Sequence, residues 1–255
     1  MINRAFNALN RRLGLVLVPA LMDLVSFVFG LLTVGFWGAS KFTFKLVLDA
    51  GLPSISTIIE HNVFAGSVNF DFAGSGPDTM ALALALLLFV LGAFAEAGFI
   101  GLLYERAKGN AVNLDTFLSY ASRFWLRFLG LRALMFLVTL AGLVMAMLLS
   151  FLGMIAYLVV FMVLRVKYIY WEFTIVADDL GVFEAFARSA AYFDNRTPEL
   201  SGVIIGILVA NFIFALLVNF LWHPLPLLLF IPIYCYVASG MQLALMMSLP
   251  GCETA

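Results

Sequence analysis

Four ionisable side chains, Asp23, Glu96, Arg165 and Lys167, stand inside stretches otherwise apolar enough to dissolve in lipid. A charge near the centre of a membrane-crossing helix costs about 2.5–3.5 kcal/mol on insertion scales, so it faces protein or water and has a partner. With a rise of about 1.5 Å per residue, the four fall in a similar depth band. Asp23 and Glu96 are therefore expected to face Arg165 or Lys167. Such a cluster serves either as a polar pathway for protons or a charged solute, or as a structural ion pair with basic side chains snorkelling to the interface. Asn211, Asn219 and Gln242 extend the polar interior. Pro19, Pro226 and Pro232 can kink their helices and turn carbonyls toward a cavity.

Nothing else in the sequence assembles a reaction centre. A membrane hydrolase needs a nucleophile with a base, a histidine–carboxylate cluster or a metal. Ser189 has no histidine on its side of the membrane, and His61 and His223 stand alone, without a second ligand at metal-binding spacing. The adjacent Asp178 and Asp179 read as helix-terminal or solvated carboxylates. Cys235 falls inside the last apolar stretch and Cys252 in the tail, which makes both low-reactivity thiols with no disulfide between them. The expectation is a protein that is not an enzyme, with no catalytic residues, cofactor or metal site.

The elements that must position the charges follow from composition. The chain has 255 residues, 64% hydrophobic and 11% charged, with a mean hydropathy of +1.07. Soluble domains are roughly 45–50% apolar and roughly 25% charged. A helix needs about 20 apolar residues to cross a bilayer. Six such stretches run through Leu13–Phe36, Met80–Tyr104, Leu129–Leu149, Leu152–Val176, Ser201–Trp222 and Leu225–Leu249. None alternates polar and apolar residues as a barrel strand would. The fold class is all-α: a polytopic membrane protein of six transmembrane helices in one domain over residues 1–255.

The basic residues set an orientation. Arg4, Arg11, Arg12, Arg106, Lys108, Arg123, Arg127, Arg132, Arg165, Lys167, Arg188 and Arg196 fall on one side, and only Lys41 and Lys45 on the other. Both termini are accordingly expected in the cytoplasm, with the protein in the cell membrane and the first span an uncleaved anchor. The charge asymmetry serves topology and implies no nucleic acid.

The connections differ in kind. Two outer turns, at Ser150–Phe151 and His223–Pro224, are tight, whereas residues 39–79 form a long outer excursion whose second half is rich in Gly, Ser, Asp and Asn. It reads either as an outward cap or partner site, or as a tolerated insertion. Its first half, before Pro53, could lie flat in the outer leaflet. On the inner side, the connections 105–128 and 177–200 each carry an amphipathic helix expected to lie in the cytoplasmic interface. The first places Phe117, Tyr120, Phe124 and Phe128 on one face and Arg123 and Arg127 on the other, with Asn113 as its cap. The second aligns Phe183, Phe186, Ala190 and Phe193, with Glu184 and Arg188 turned away. Arg123, Arg127, Glu184 and Arg188 form a candidate docking face for a membrane or cytoplasmic protein partner. Small-residue stripes at Ala93, Ala97 and Gly101 and at Gly202, Gly206 and Ala210 favour close helix packing within the chain over homodimerisation. The recurrence of span, glycine turn (Gly109, Gly181) and amphipathic helix suggests a weak internal duplication.

The stretch 173–193 contains Glu184, Ala185, Arg188 and Ser189, which resemble an "EA..RS" pattern. Together with the six spans, this segment resembles the multi-pass membrane domain associated with some bacterial glycerophosphodiester phosphodiesterases and its stand-alone relatives. Where relatives often have Trp after the serine, this chain has Ala190. Phosphodiesterase chemistry in those fusions belongs to a separate barrel domain with no counterpart here, so the resemblance implies a fold and a location and carries over no active site. Three functions suit such a chain: a non-catalytic scaffold or regulator of an envelope process, a permease-like transport subunit, or a lipid-binding protein. A cavity around Asp23 and Glu96 favours transport, a sealed bundle favours scaffolding, and headgroup-sized space opening sideways into the bilayer favours lipid handling.

Overall fold

The computed structural model describes residues 1–33, 35–43, 45, 47–48, 50–61, 63–64 and 79–252. The described residues are helical or irregular, with no strand. The helices are α1 (Ile2–Asn10), α2 (Gly14–Thr33), α3 (Thr79–Ala107), α4 (Leu114–Lys167), α5 (Trp171–Ala177), α6 (Val182–Phe220) and α7 (Pro224–Met247). Six helical stretches are long and apolar enough to cross a membrane: Gly14–Leu32, Leu86–Ala107, Leu114–Met145, Leu152–Ala177, Leu200–Phe220 and Pro224–Met247. Five overlap the apolar runs of the sequence closely, whereas the third begins at Leu114 rather than Leu129 and takes in the segment expected to form a separate amphipathic helix.

If straight, the 54 residues of α4 would be about 80 Å long. The run is instead folded on itself. Gly142 lies against the ring of Tyr157, and residues 134–138 share one groove with residues 161–168, so the chain doubles back between Met145 and Leu152. Nearer its start the run lies antiparallel to α3: Phe117 meets Gly98, Tyr120 meets Gly101, and Arg132 reaches Gly92 and Glu96. Asn113 caps the run, its side chain accepting from the Thr116 amide at 2.8 Å, as its position predicts. The apolar stripe of this segment packs on protein: Phe124 and Phe128 are fully buried, and Phe117 and Tyr120 sit on glycines of α3. That close approach explains the small-residue stripe of α3, where Ala93 and Ala97 are buried within the chain.

In α6 the buried face is displaced from the predicted stripe. Ala185 and Ser189 are buried and Phe186 stacks on Tyr168 at 3.7 Å, while Phe183 is 77% exposed. One helix has no counterpart among the predicted elements. α1 packs along α7, burying Ala5 and Leu9, setting Phe6 against Gly240, and accepting a hydrogen bond from Tyr236 Oη at Asn10 (2.7 Å).

The described part of the 39–79 connection is re-entrant. Near its start Lys41 N–H donates to the Asn219 carbonyl (3.0 Å), and Trp222 Nε1 donates to the Trp37 carbonyl (3.0 Å). The chain then passes deeper along α6, where Asn211 Nδ2 donates to the Val47 carbonyl at 2.7 Å. It makes a single 3₁₀ turn at Ile55–Thr57 and comes back, so that Asn219 Nδ2 meets the Ile58 carbonyl at 3.0 Å and Glu60 N–H meets Asn219 Oδ1 at 3.1 Å. From Asn219 to Asn211 is about 12 Å of helix. The described part of the segment packs into the bundle: Leu48, Ile55, Ile58, Ile59, Val63 and Phe64 are core residues. Irregular backbone at membrane depth requires protein partners for its polar groups, and the asparagines of α6 supply them. The Gly, Ser, Asp and Asn-rich remainder, 65–78, lies outside the described residues.

A charged cavity beside an apolar groove

The bottom of the re-entrant segment lies against the ionisable residues of the spans. Asp23, midway along α2 and 3% exposed, accepts from Ser54 Oγ at 2.5 Å and from the Ile55 amide at 2.7 Å, with the Cys235 thiol at 3.8 Å. The carboxylate thus completes the exposed end of the 3₁₀ turn, whose first amides have no partner within the turn itself. Arg165 Nε donates to the Leu48 carbonyl at 3.0 Å. Gly51 lies so close to Glu96 that a β-carbon there would overlap the carboxylate. The polar side chains of four helices therefore hold one irregular segment in place.

Two ion pairs complete the cluster. Glu96 pairs with Arg132 of α4 at 2.7 Å, and Arg165 pairs with Glu172 of α5 at 2.6 Å. Asp23, Glu96, Arg132, Arg165 and Glu172 line a common cavity of about 470 Å³, together with Ser26, Ser54, Ser56 and Thr57. Three of the four expected residues, Asp23, Glu96 and Arg165, are brought together there. Lys167 is exposed at the end of α4 and is not among the lining residues. The sequence reading missed Glu172 and placed Arg132 with the surface charges. Glu172 meets Arg165 because the helix breaks at residues 168–170, between α4 and α5, and no helical spacing in the sequence signals that contact.

The cavity lies between α2 and α3. Val25 and Leu91 line it and are 46% and 45% exposed, so the cavity is open to the surroundings of the bundle. A second, apolar groove of about 290 Å³ runs between the two arms of α4 and the start of α6, lined by Leu134, Val138, Phe161, Leu164, Tyr168, Trp171, Phe183 and Phe186. Met135 and Arg165 line both spaces. A charged chamber thus adjoins an apolar one.

The candidate docking face forms a clasp between the two inner connections. Arg123 and Arg127 reach Asp179 at 2.5 and 2.7 Å, and Arg127 also donates to the Leu180 carbonyl. Arg127 and Arg123, donating to its oxygens, hold the Asp179 carboxyl below the usual carboxylate range. Asp179 takes a left-handed backbone conformation (φ 55°), one that a short polar side chain tolerates. Arg188 pairs with Asp178 at 3.3 Å, and Glu184 accepts from the Gly181 amide at the start of its own helix. These residues join one part of the chain to another.

No group of three or more histidines, cysteines or carboxylates able to hold a metal occurs among the described residues. Both cysteines are free and buried. Comparison with protein-family models, with curated proteins and with solved structures finds no match for this chain.

Proposed function

We propose that this multi-pass protein binds and handles an amphiphile of the membrane, taking the polar group into the charged cavity and an acyl chain along the apolar groove. The observation that carries the reading is that the two spaces share a wall, formed by Met135 and Arg165. A soluble solute has no use for an apolar groove, and a hydrocarbon has none for five ionisable side chains. The cavity volume lies within the roughly 300–1,000 Å³ of small-molecule sites, and its opening to the surroundings of the bundle suits a ligand arriving from the bilayer. The resemblance to membrane domains associated with glycerophosphodiester phosphodiesterases is consistent with a lipid-related role in a bacterial cell membrane, and the distribution of basic residues supports cytoplasmic termini. The scaffold reading, with partners at the outer loop and the inner amphipathic helices, draws less support from its docking face, because Arg123, Arg127 and Arg188 are engaged within the chain.

The test is detergent-free extraction with the surrounding bilayer, followed by mass spectrometry of retained lipids. One lipid class should be enriched over the bulk membrane. Met135→Trp, which enlarges a residue of that shared wall, should abolish the enrichment while leaving the protein monodisperse. A retained population identical to the bulk bilayer would refute the proposal.

A further inference from the structure

Within the amphiphile reading, and resting on it, we infer that the polar group is a phosphate ester bearing a primary ammonium, with the ammonium seated on Glu172. Glu172 is 4% exposed and lines the charged cavity. Its Oε1 is paired with Arg165, and its Oε2 has no hydrogen-bond partner among the described residues and is closed to solvent, so an ammonium in the cavity meets it once the carboxylate turns toward that space. A buried carboxylate oxygen without a donor is costly, and a ligand N–H removes that cost. The lining charges point the same way: three carboxylates, Asp23, Glu96 and Glu172, face two guanidiniums, Arg132 and Arg165. Asp23 is held by Ser54 and Ile55 and Glu96 by Arg132, which leaves Glu172 as the acceptor for a cation.

The ligand also needs an anionic part. Arg132 is the more accessible of the two arginines, with 29% of its side chain exposed against 9% for Arg165. Its guanidinium gives only Nε to Glu96, so the remaining fork can meet a phosphate oxygen. A primary ammonium donates hydrogen bonds to Oε2, whereas a trimethylated one has none to give. The site should therefore separate an ethanolamine-type headgroup from a choline-type one as well as from glycerol-type anions.

The experiment reconstitutes the full chain in nanodiscs of a neutral synthetic lipid and follows, by native mass spectrometry, exchange with phosphatidylethanolamine, phosphatidylcholine or phosphatidylglycerol of matched acyl chains. Phosphatidylethanolamine should be retained at least about tenfold better than either competitor, the factor expected from one hydrogen bond to a charged group. Glu172→Gln should erase that preference while lipid of some class is still retained. Because Glu172→Gln alters a buried pair, selectivity of the unmodified protein is the primary readout. Preference for phosphatidylglycerol or phosphatidylcholine would overturn the headgroup assignment and leave the amphiphile reading standing. Retention of no class above the host lipid would overturn both. Equal displacement by water-soluble phosphoethanolamine would keep the headgroup chemistry and remove the bilayer as its source.

Discussion

If Asp23 is the anchor of the re-entrant segment, replacing it should release residues 54–59 while leaving the spans in place. Asp23→Leu removes the acceptor of two hydrogen bonds, from Ser54 Oγ and the Ile55 amide. Each bond to a charged group is worth about 1.5–3 kcal/mol, so the gross loss is roughly 3–6 kcal/mol. Relief from burying a carboxylate offsets part of this, and a net opening penalty of about 3 kcal/mol remains. At 1.4 kcal/mol per tenfold, amide exchange at residues 55–59 should accelerate by about 100-fold. Asp23→Asn keeps one acceptor oxygen and should give about 10-fold. Hydrogen exchange read by mass spectrometry in nanodiscs resolves that difference, and peptides from α3 and α7 serve as internal controls. Unchanged exchange at 55–59 in Asp23→Leu, with the protein still folded, would refute the anchoring argument. Uniform acceleration across all helices would show that Asp23 supports the whole bundle.

Arg132→Ala should lower stability by about 1–3 kcal/mol, below the 3–5 kcal/mol of a fully buried pair because the arginine is partly exposed; thermal unfolding should find Arg132→Met with Glu96→Gln milder than either single change. Gly101→Val should destabilise by about 1–3 kcal/mol, since its new side chain would press on the base of Tyr120. By contrast, Gly202→Ala, with nothing within 4 Å, should be neutral or stabilising by up to about 1 kcal/mol in the same assay. The Asp179 clasp has a pH signature: a carboxyl held below its ordinary value contributes fully above about pH 4 and weakens as pH falls through the folded value. Distances between spin labels on the two inner connections should hold from pH 7 to 5 and lengthen only in stronger acid, and in Asp179→Asn they should be long throughout.

The six spans are legible in the sequence because lipid imposes one simple requirement, an unbroken apolar run, and Leu200–Phe220 or Pro224–Met247 meets it locally. The pairing of charges is less legible. Arg165 and Glu172 lie on either side of the turn at residues 168–170, so no helical period links them. Arg132 was counted as a surface charge because it stands only three residues past the predicted start of its span. The re-entrant segment is the hardest to read, because its apolar residues, such as Ile55, Ile58 and Ile59, carry no sustained period. Its partners Asn211 and Asn219 are more than 150 residues away. Aromatic stripes mislead in a related way: Phe117 and Tyr120 look like lipid anchors until the glycines of α3 are set beside them.

The re-entrant segment also constrains the order in which the chain can be assembled. Val47 and Leu48 leave the exit tunnel well before the side chains that satisfy their carbonyls, Asn211 and Arg165. Until α4 and α6 are in place, those carbonyls lack the partners they have in the finished bundle. Closing the bundle around this segment is therefore the part of assembly that depends on side chains made long after the segment itself.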